Sequence, residues 1–403
     1  MTTMSDLTDD LLSEILSRVP ITSLRSVRST CKKWNSLSKN RVFGKAAKAA
    51  ARNQFLGFMV MDSKVCSLKF DLQGIRSDGD EFFDPSINPV SILEPVEISK
   101  AFHCDGLLLC VTKDSSRLLV WNPYLGQTKW IQPINDFHRF DRFALGYDKN
   151  RNHKILRVFD FYQSVNSRDF GYEIYGFSSD SWKVLDFTPN WKIPSHQRSV
   201  TLKGNAYFFA QEKIIVEGEV TTETEDFLLC FDFTSERFGP RLSLPFHSGD
   251  EETVTLFCIR DEKLAVLHQR WETCEVMEIW VTDKIDPNAL SWTKFLEVDM
   301  SLLTGFPVDP FAGSFFIDEE KKVVVVFDLD SNDEPTETCR RYQTAHIIGD
   351  DGYFKSVNIG EVPQVVFFFA CVIIQERFYQ HLLLSANKHF LNFYVTIPLN
   401  TFS

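Results

Sequence analysis

The sequence has little of what announces chemistry. Its nine cysteines are scattered and odd in number, with no CxxC pair, so neither a zinc knuckle nor a disulfide framework is expected. Cys104 and Cys110 are the nearest pair, and buried structural thiols are the expectation for both. The nine histidines are dispersed and none belongs to an HExxH arrangement. There is no G-x-S-x-G elbow, no Walker loop and no G-x-G-x-x-G turn. No metal, cofactor or catalytic residue is therefore expected. Cations are outnumbered, 43 to 55, and the net charge of -12 argues against a nucleic-acid partner. The longest apolar run, "VVFFFACVII" (Val365 to Ile374), falls short of the about 20 residues a membrane helix needs. It reads as a buried strand, and no membrane partner is expected. Asp6, Asp9, Asp10 and Glu14 crowd the first turns where a secretory leader would be basic. Reduced thiols and no leader lead to the expectation of a cytoplasmic or nuclear protein.

What is abundant is phenylalanine, 37 residues, within an aromatic share of 14%. Large flat side chains fill pleated surfaces, so a β-rich core is expected. From Phe55 onward short apolar runs alternate with Gly, Asp, Asn and Ser. A strand carrying an aromatic anchor recurs at Phe70, Trp121, Tyr175, Phe231, Trp280 and Phe327, at steps of 51, 54, 56, 49 and 47 residues. Each is preceded by another strand: "FLGFMV", "GLLLCV", "KILRVF", "NAYFFA", "KLAVLH" and "SFFI". A second aromatic follows some anchors, as Trp130, Trp182 and Trp292 do. "VFFFACVII" with "FLNFYVTI" offers a seventh, divergent pair. A period near fifty with several strands per unit predicts a kelch-like β-propeller of six or seven blades. An irregular β-sandwich or two β domains is the alternative. "EGEVTTETED", Glu217 to Asp226, is expected to be an exposed loop between strands.

The first 52 residues follow another rule. Leu11, Leu12, Ile15, Leu16 and Val19 form one face of a helix over residues 9–18, with Thr8 placed to cap it. Pro20 stops it. Leu24, Val27, Cys31 and Trp34 recur at steps of three and four on a second helix. Residues 43–54 are helix-prone and lead into the β domain, 55–400. As a whole the chain reads as α+β, a small helical segment (1–42) before a mainly β domain. Two or three short helices cannot hide so many apolar side chains among themselves. The surplus needs the β domain, as a helical cap, or a foreign protein, with Trp34 a natural anchor. Nine cations and no acid lie between Arg25 and Arg52, a solvated face or a steering patch for an acidic partner.

The stretch "LTDDLLSEILSRVPITSLRSVRSTCKKWNSL", Leu7 to Leu37, resembles an F-box, departing from the family pattern at Thr8, where proline is usual. "HCDGLLLCV", "VWNPYLGQTKWI", "FALGYD" and "YEIYGFSSDSWKVL" resemble the F-box-associated interaction domain of the large plant F-box family. In the residues themselves these motifs read as fold signals, with turns at Asp105-Gly106 and Asn122-Pro123. The resemblance implies binding of a Skp-type adaptor, and through it of cullin and RING protein, by Leu7, Leu12, Ile15, Leu16, Pro20, Leu24, Val27, Cys31 and Trp34. It implies a non-enzymatic substrate-recognition subunit of a ubiquitin ligase whose β domain holds an unidentified target protein. A glycan-binding receptor, a scaffold outside any ligase and an enzymatic propeller remain as other readings.

Overall fold

A computed structural model describes residues 8, 11–12, 32–34, 54–71, 86–90, 93, 95–123, 126–164, 167–187, 189–195, 197–212, 215–216, 219–220, 226–247, 253–269, 276–286, 289–299, 314–329, 341–362 and 371–374. Six antiparallel sheets follow one another along the chain. Blade two is the plainest: Ile98–Cys104, Leu107–Thr112, Leu118–Asn122 and Gln127–Ile131, each paired with the next. Blade three runs from Arg142 to Leu185, blade four from Trp191 to Ser243, blade five from Thr253 to Asp299 and blade six from Ser314 to Val362. The innermost strands of blades two to six are Ile98–Cys104, Arg142–Tyr147, Val200–Leu202, Thr253–Ile259 and Ser314–Asp318. Each lies beside the next.

Blade one is assembled from both ends of the β domain. Gln54–Met61, Lys64–Asp71 and Ser86–Pro89 supply its outer three strands. Its innermost strand is Cys371–Ile374, which pairs antiparallel with Leu56 to Met59. That strand touches the innermost strands of blades two and six, so the ring closes at six blades. The expected seventh pair is corrected accordingly. Cys371–Ile374 does not start a blade, because blade one begins at its second strand and lacks a first. "FLNFYVTI" lies outside the described residues.

The repeat was legible because equivalent anchors occupy equivalent strands. Phe70, Trp121, Tyr175, Phe231 and Trp280 all stand on the third strand of their blades, and Trp130, Trp182 and Trp292 on the fourth. Phe327 is one strand out of phase, on the second strand of blade six, whose third strand is Arg341–Gly349. Gln54, at the end of the expected helical linker, already opens a strand.

The apolar runs have a physical reason. A blade is covered on both faces, so its inner strands alternate between two cores rather than between core and water. Leu107, Leu109 and Val111 pack toward blade three, while Leu108 and Cys110 pack toward blade one. In blade four, Phe208 and Ala210 face blade three, and Tyr207 and Phe209 face blade five. Burying each such side chain is worth about 1.5–3 kcal/mol, which explains the phenylalanine excess. Outermost strands are wetter: Ser181–Leu185 leaves Val184 exposed. Among the described residues, no helix is long and apolar enough to cross a membrane.

The two ends of the ring differ. The first-to-second strand turns lie at one end, the turn face, and span two to five residues. The links between blades two to six and into blade one (132–141, 186–199, 244–252, 300–313 and 363–370) lie at the other, the loop face, and span eight to fourteen. Gln54 opens a strand running from turn face to loop face, so the polypeptide leading back to residues 1–53 leaves from the turn face.

Candidate target-binding face and adaptor segment

The loop face is organised by buried cations that hold its connections down. Arg157, on the second strand of blade three, is 2% exposed. Its Nε donates to Asp141 Oδ2 at 2.8 Å and its Nη1 to Glu173 Oε2 at 3.0 Å. It also donates to the carbonyls of Asn135 (3.3 Å) and Asp136 (2.8 Å), and lies 4.7 Å and 4.6 Å from the ring centres of Phe137 and Phe159. Asp141 Oδ2 in turn accepts from the His138 N–H at 2.9 Å. Lys100 Nζ donates to the carbonyls of Arg139 (2.7 Å) and Asp141 (2.9 Å). The connection 132–141 is thereby clamped from two blades. Arg142 does the same for 186–199, reaching the Ile193 carbonyl at 2.8 Å, and Gln197 Nε2 ties that connection to the Val254 carbonyl at 3.1 Å. Loop backbone that would otherwise be costly to bury is satisfied by side chains of the strands beneath it.

The turn face carries the motifs singled out in the sequence, in structural roles. Asp105 and Gly106 both take positive φ, 49° and 75°, in the tight turn before the buried strand Leu107–Thr112. Asp148 Oδ1 accepts the N–H groups of Asn150 (2.8 Å) and Asn152 (3.0 Å), closing the turn after "FALGYD". A Cβ on Gly146 would collide with the Phe233 ring and the Gly204 carbonyl, so only glycine fits between blades three and four there. Asp105 Oδ2 lies 3.4 Å from Arg151 Nη1 and 3.5 Å from His153 Nε2. Burial lowers His103 to about 4, and its neutral ring accepts the Gly106 N–H at 3.1 Å. Cys104 and Cys110 are buried and free, as expected; burial pushes Cys110 up to about 12 and Cys104 well above the usual thiol value, so neither is a nucleophile. Among the described residues no group of His, Cys, Asp and Glu could hold a metal ion.

One turn-face carboxyl has a pH signature. Burial first, and the nearby Asp105 charge next among the raising influences, push Asp261 up to about 6 against the hydrogen bond it accepts from the Lys203 N–H. A folded value above the unfolded one means stability present in acid and lost as pH rises through about 6. Asp261→Asn keeps an oxygen for Lys203. It should melt level with the parent chain near pH 4 and be stabler near pH 8, by on the order of 2 kcal/mol. Melting curves at the two pH values check this, and a variant weaker than the parent near pH 8 contradicts it.

In the N-terminal segment, Thr8 acts as the helix cap the sequence suggested. Its carbonyl accepts the Leu12 N–H at 3.0 Å and its Oγ1 the Leu11 N–H at 3.4 Å. A capping side chain thus stands where proline would pre-set the turn. Leu12 is wholly covered within the chain, and beside it Leu11 is 54% exposed. Trp34 is half-buried, and Lys32 and Lys33 of the cationic run are exposed. Leu7, Ile15, Leu16, Pro20, Leu24, Val27 and Cys31 lie outside the described residues.

Comparison with known proteins matches residues 4–46 to the F-box domain and residues 56–376 to the F-box associated beta propeller domain. The chain belongs to the F-box proteins with an F-box-associated β-propeller. An F-box/kelch-repeat protein of Arabidopsis thaliana is 64% identical over 366 residues, covering 91% of each chain. A putative F-box protein and an F-box protein of the same plant are each 60% identical, covering 91% and 90% of this chain and 94% of theirs. In this F-box protein the front segment is an adaptor-type module and the propeller a target-binding type, and neither matched domain is an enzymatic one. Trp121, Trp130, Trp182, Trp191, Trp280 and Trp292 stand on strands, and none of them is exposed. No stacking platform for a sugar is therefore presented by the described tryptophans. The loop-face clamp was not foreseen, and no signal in the sequence alone marks it: its members are 16 to 41 residues apart.

Proposed function

We propose that this F-box protein is the substrate-recognition subunit of a Skp-cullin-F-box ubiquitin ligase. The F-box segment binds a Skp-type adaptor and through it cullin and RING protein, and the loop face of the propeller holds the target. The observation that carries this reading is polarity: the chain to the F-box leaves from the turn face, and the long clamped connections gather on the opposite one. A target on the loop face meets no competition from the adaptor. The subunit needs no catalytic group of its own, since tethering raises the effective concentration of target lysines near the charged enzyme. Cytoplasm or nucleus, where thiols stay reduced, suits the free buried cysteines.

On the adaptor side, the exposed Leu11 joins Leu7, Ile15, Leu16, Pro20, Leu24, Val27, Cys31 and Trp34 as the apolar surface offered. Leu16→Asp puts a charge into that surface, and the cost of burying it unpaired is several kcal/mol. Adaptor co-purification should be lost while the propeller's melting transition stays in place. Retained binding by Leu16→Asp would refute the adaptor assignment, and adaptor binding without cullin co-precipitation would point to a scaffold instead.

A further inference from the structure

The chain carries a net charge of -12, yet one part of the loop face is basic. Lys100 stands on the innermost strand of blade two, Arg142 opens that of blade three, and Arg198 lies two residues ahead of that of blade four. Three successive blades thus bring a cation to the inner rim of one face. Arg139 stands exposed on the clamped connection between the first two. Lys100 and Arg142 donate to backbone carbonyls, which accept hydrogen bonds without cancelling a positive charge. Asp141 and Glu173, the carboxylates buried beneath, are engaged by Arg157. The crowding shows in Lys100, lowered to about 7 by burial first and then by the charge of Arg198, with Arg142 adding to it and Asp141 opposing. Elsewhere the same face is acidic in sequence, as in Asp250, Glu251 and Glu252 before blade five.

We propose that this basic sector receives an acidic segment of the target protein, its carboxylate or phosphoryl groups seated against Arg139 and Arg198 above Lys100 and Arg142. The inference rests on the loop face being the target-binding face and adds the chemistry of what it takes. An anion relieves the like-charge crowding that the fold has built. The clamp on 132–141 holds Arg139 in place before binding, so little ordering entropy is lost on contact. The field of several neighbouring cations also speeds encounter with an acidic partner at low salt.

The test uses the full chain, purified with and without a Skp-type adaptor. Fluorescent oligo-glutamate and phosphoserine peptides are the probes, with uncharged oligo-glutamine of equal length as control. The expected result is binding of at least one anionic probe, weakening as salt rises. It should fall roughly tenfold in R139Q/R198Q, the scale of two partly exposed charge contacts. Which probe binds assigns carboxylate or phosphoryl. R139K/R198K, which keeps both charges, should bind like the parent chain and separates lost charge from lost folding. Equal binding of oligo-glutamine, or unchanged affinity in R139Q/R198Q, overturns the proposal. Adaptor co-purification is read independently, so a failure of the ligase assignment is told apart from a failure of the anion site.

Discussion

A chain ending at residue 362 should lose its single cooperative melting transition. It would lack Cys371–Ile374, the strand that completes blade one and joins it to blades two and six. In a closed ring every blade is covered on both faces. Without that strand, the apolar edge at Phe58, Met59 and Val60, now buried, opens to water, and so does the seam with blade six. Interactions in a repeat array are between neighbours, so an open array frays from its ends instead of melting as a unit. The loss is comparable to the whole stability of a domain, roughly 5–15 kcal/mol. Calorimetry and limited proteolysis should show a broad, low transition and early cleavage within blade one. A peptide spanning residues 363–403, added in trans, should restore protection by supplying the missing strand. A truncated chain that melts sharply at the parent temperature would show that the ring does not depend on this closure.

Arg157→Met should be the most damaging single substitution on the loop face. Methionine fills much of the space between Phe137 and Phe159 but removes the cation from between Asp141 and Glu173. Breaking a buried ion pair by deleting one partner costs about 3–5 kcal/mol, because the remaining charge has lost water and has nothing in exchange. Here two carboxylates are stranded, and the carbonyls of Asn135 and Asp136 lose their donor as well. Denaturant titration should show the loss. The triple variant R157M/D141N/E173Q, which removes all three charges, should recover a large part of it. A triple variant no stabler than Arg157→Met alone would mean that the arginine acts through its carbonyl contacts, not through charge balance.

Which parts were legible follows from distance along the chain. The F-box stretch is read from contiguous residues, its face set by the helical period, and Thr8 caps the helix as its position suggests. The blades were legible because the third strand of each carries its aromatic at a nearly constant step. Blade six slipped by one strand because "VFDL" imitates the anchor while the true third strand comes only at Arg341. The turn motifs read correctly as structure, since Asp105, Gly106 and Asp148 act within a few residues of themselves.

The amino-acid order by itself determined the F-box, the β-rich body, its fifty-residue period and the reduced, buried thiols, because each is written in residues near one another in sequence. Only the tertiary structure decided that the blades number six, that Ile374 closes on Leu56, and that Lys100, Arg142 and Arg198 share one rim. Those partners are tens to hundreds of residues apart. Their meeting is set by the angle at which twisted sheets pack around a closed ring, which no local pattern records.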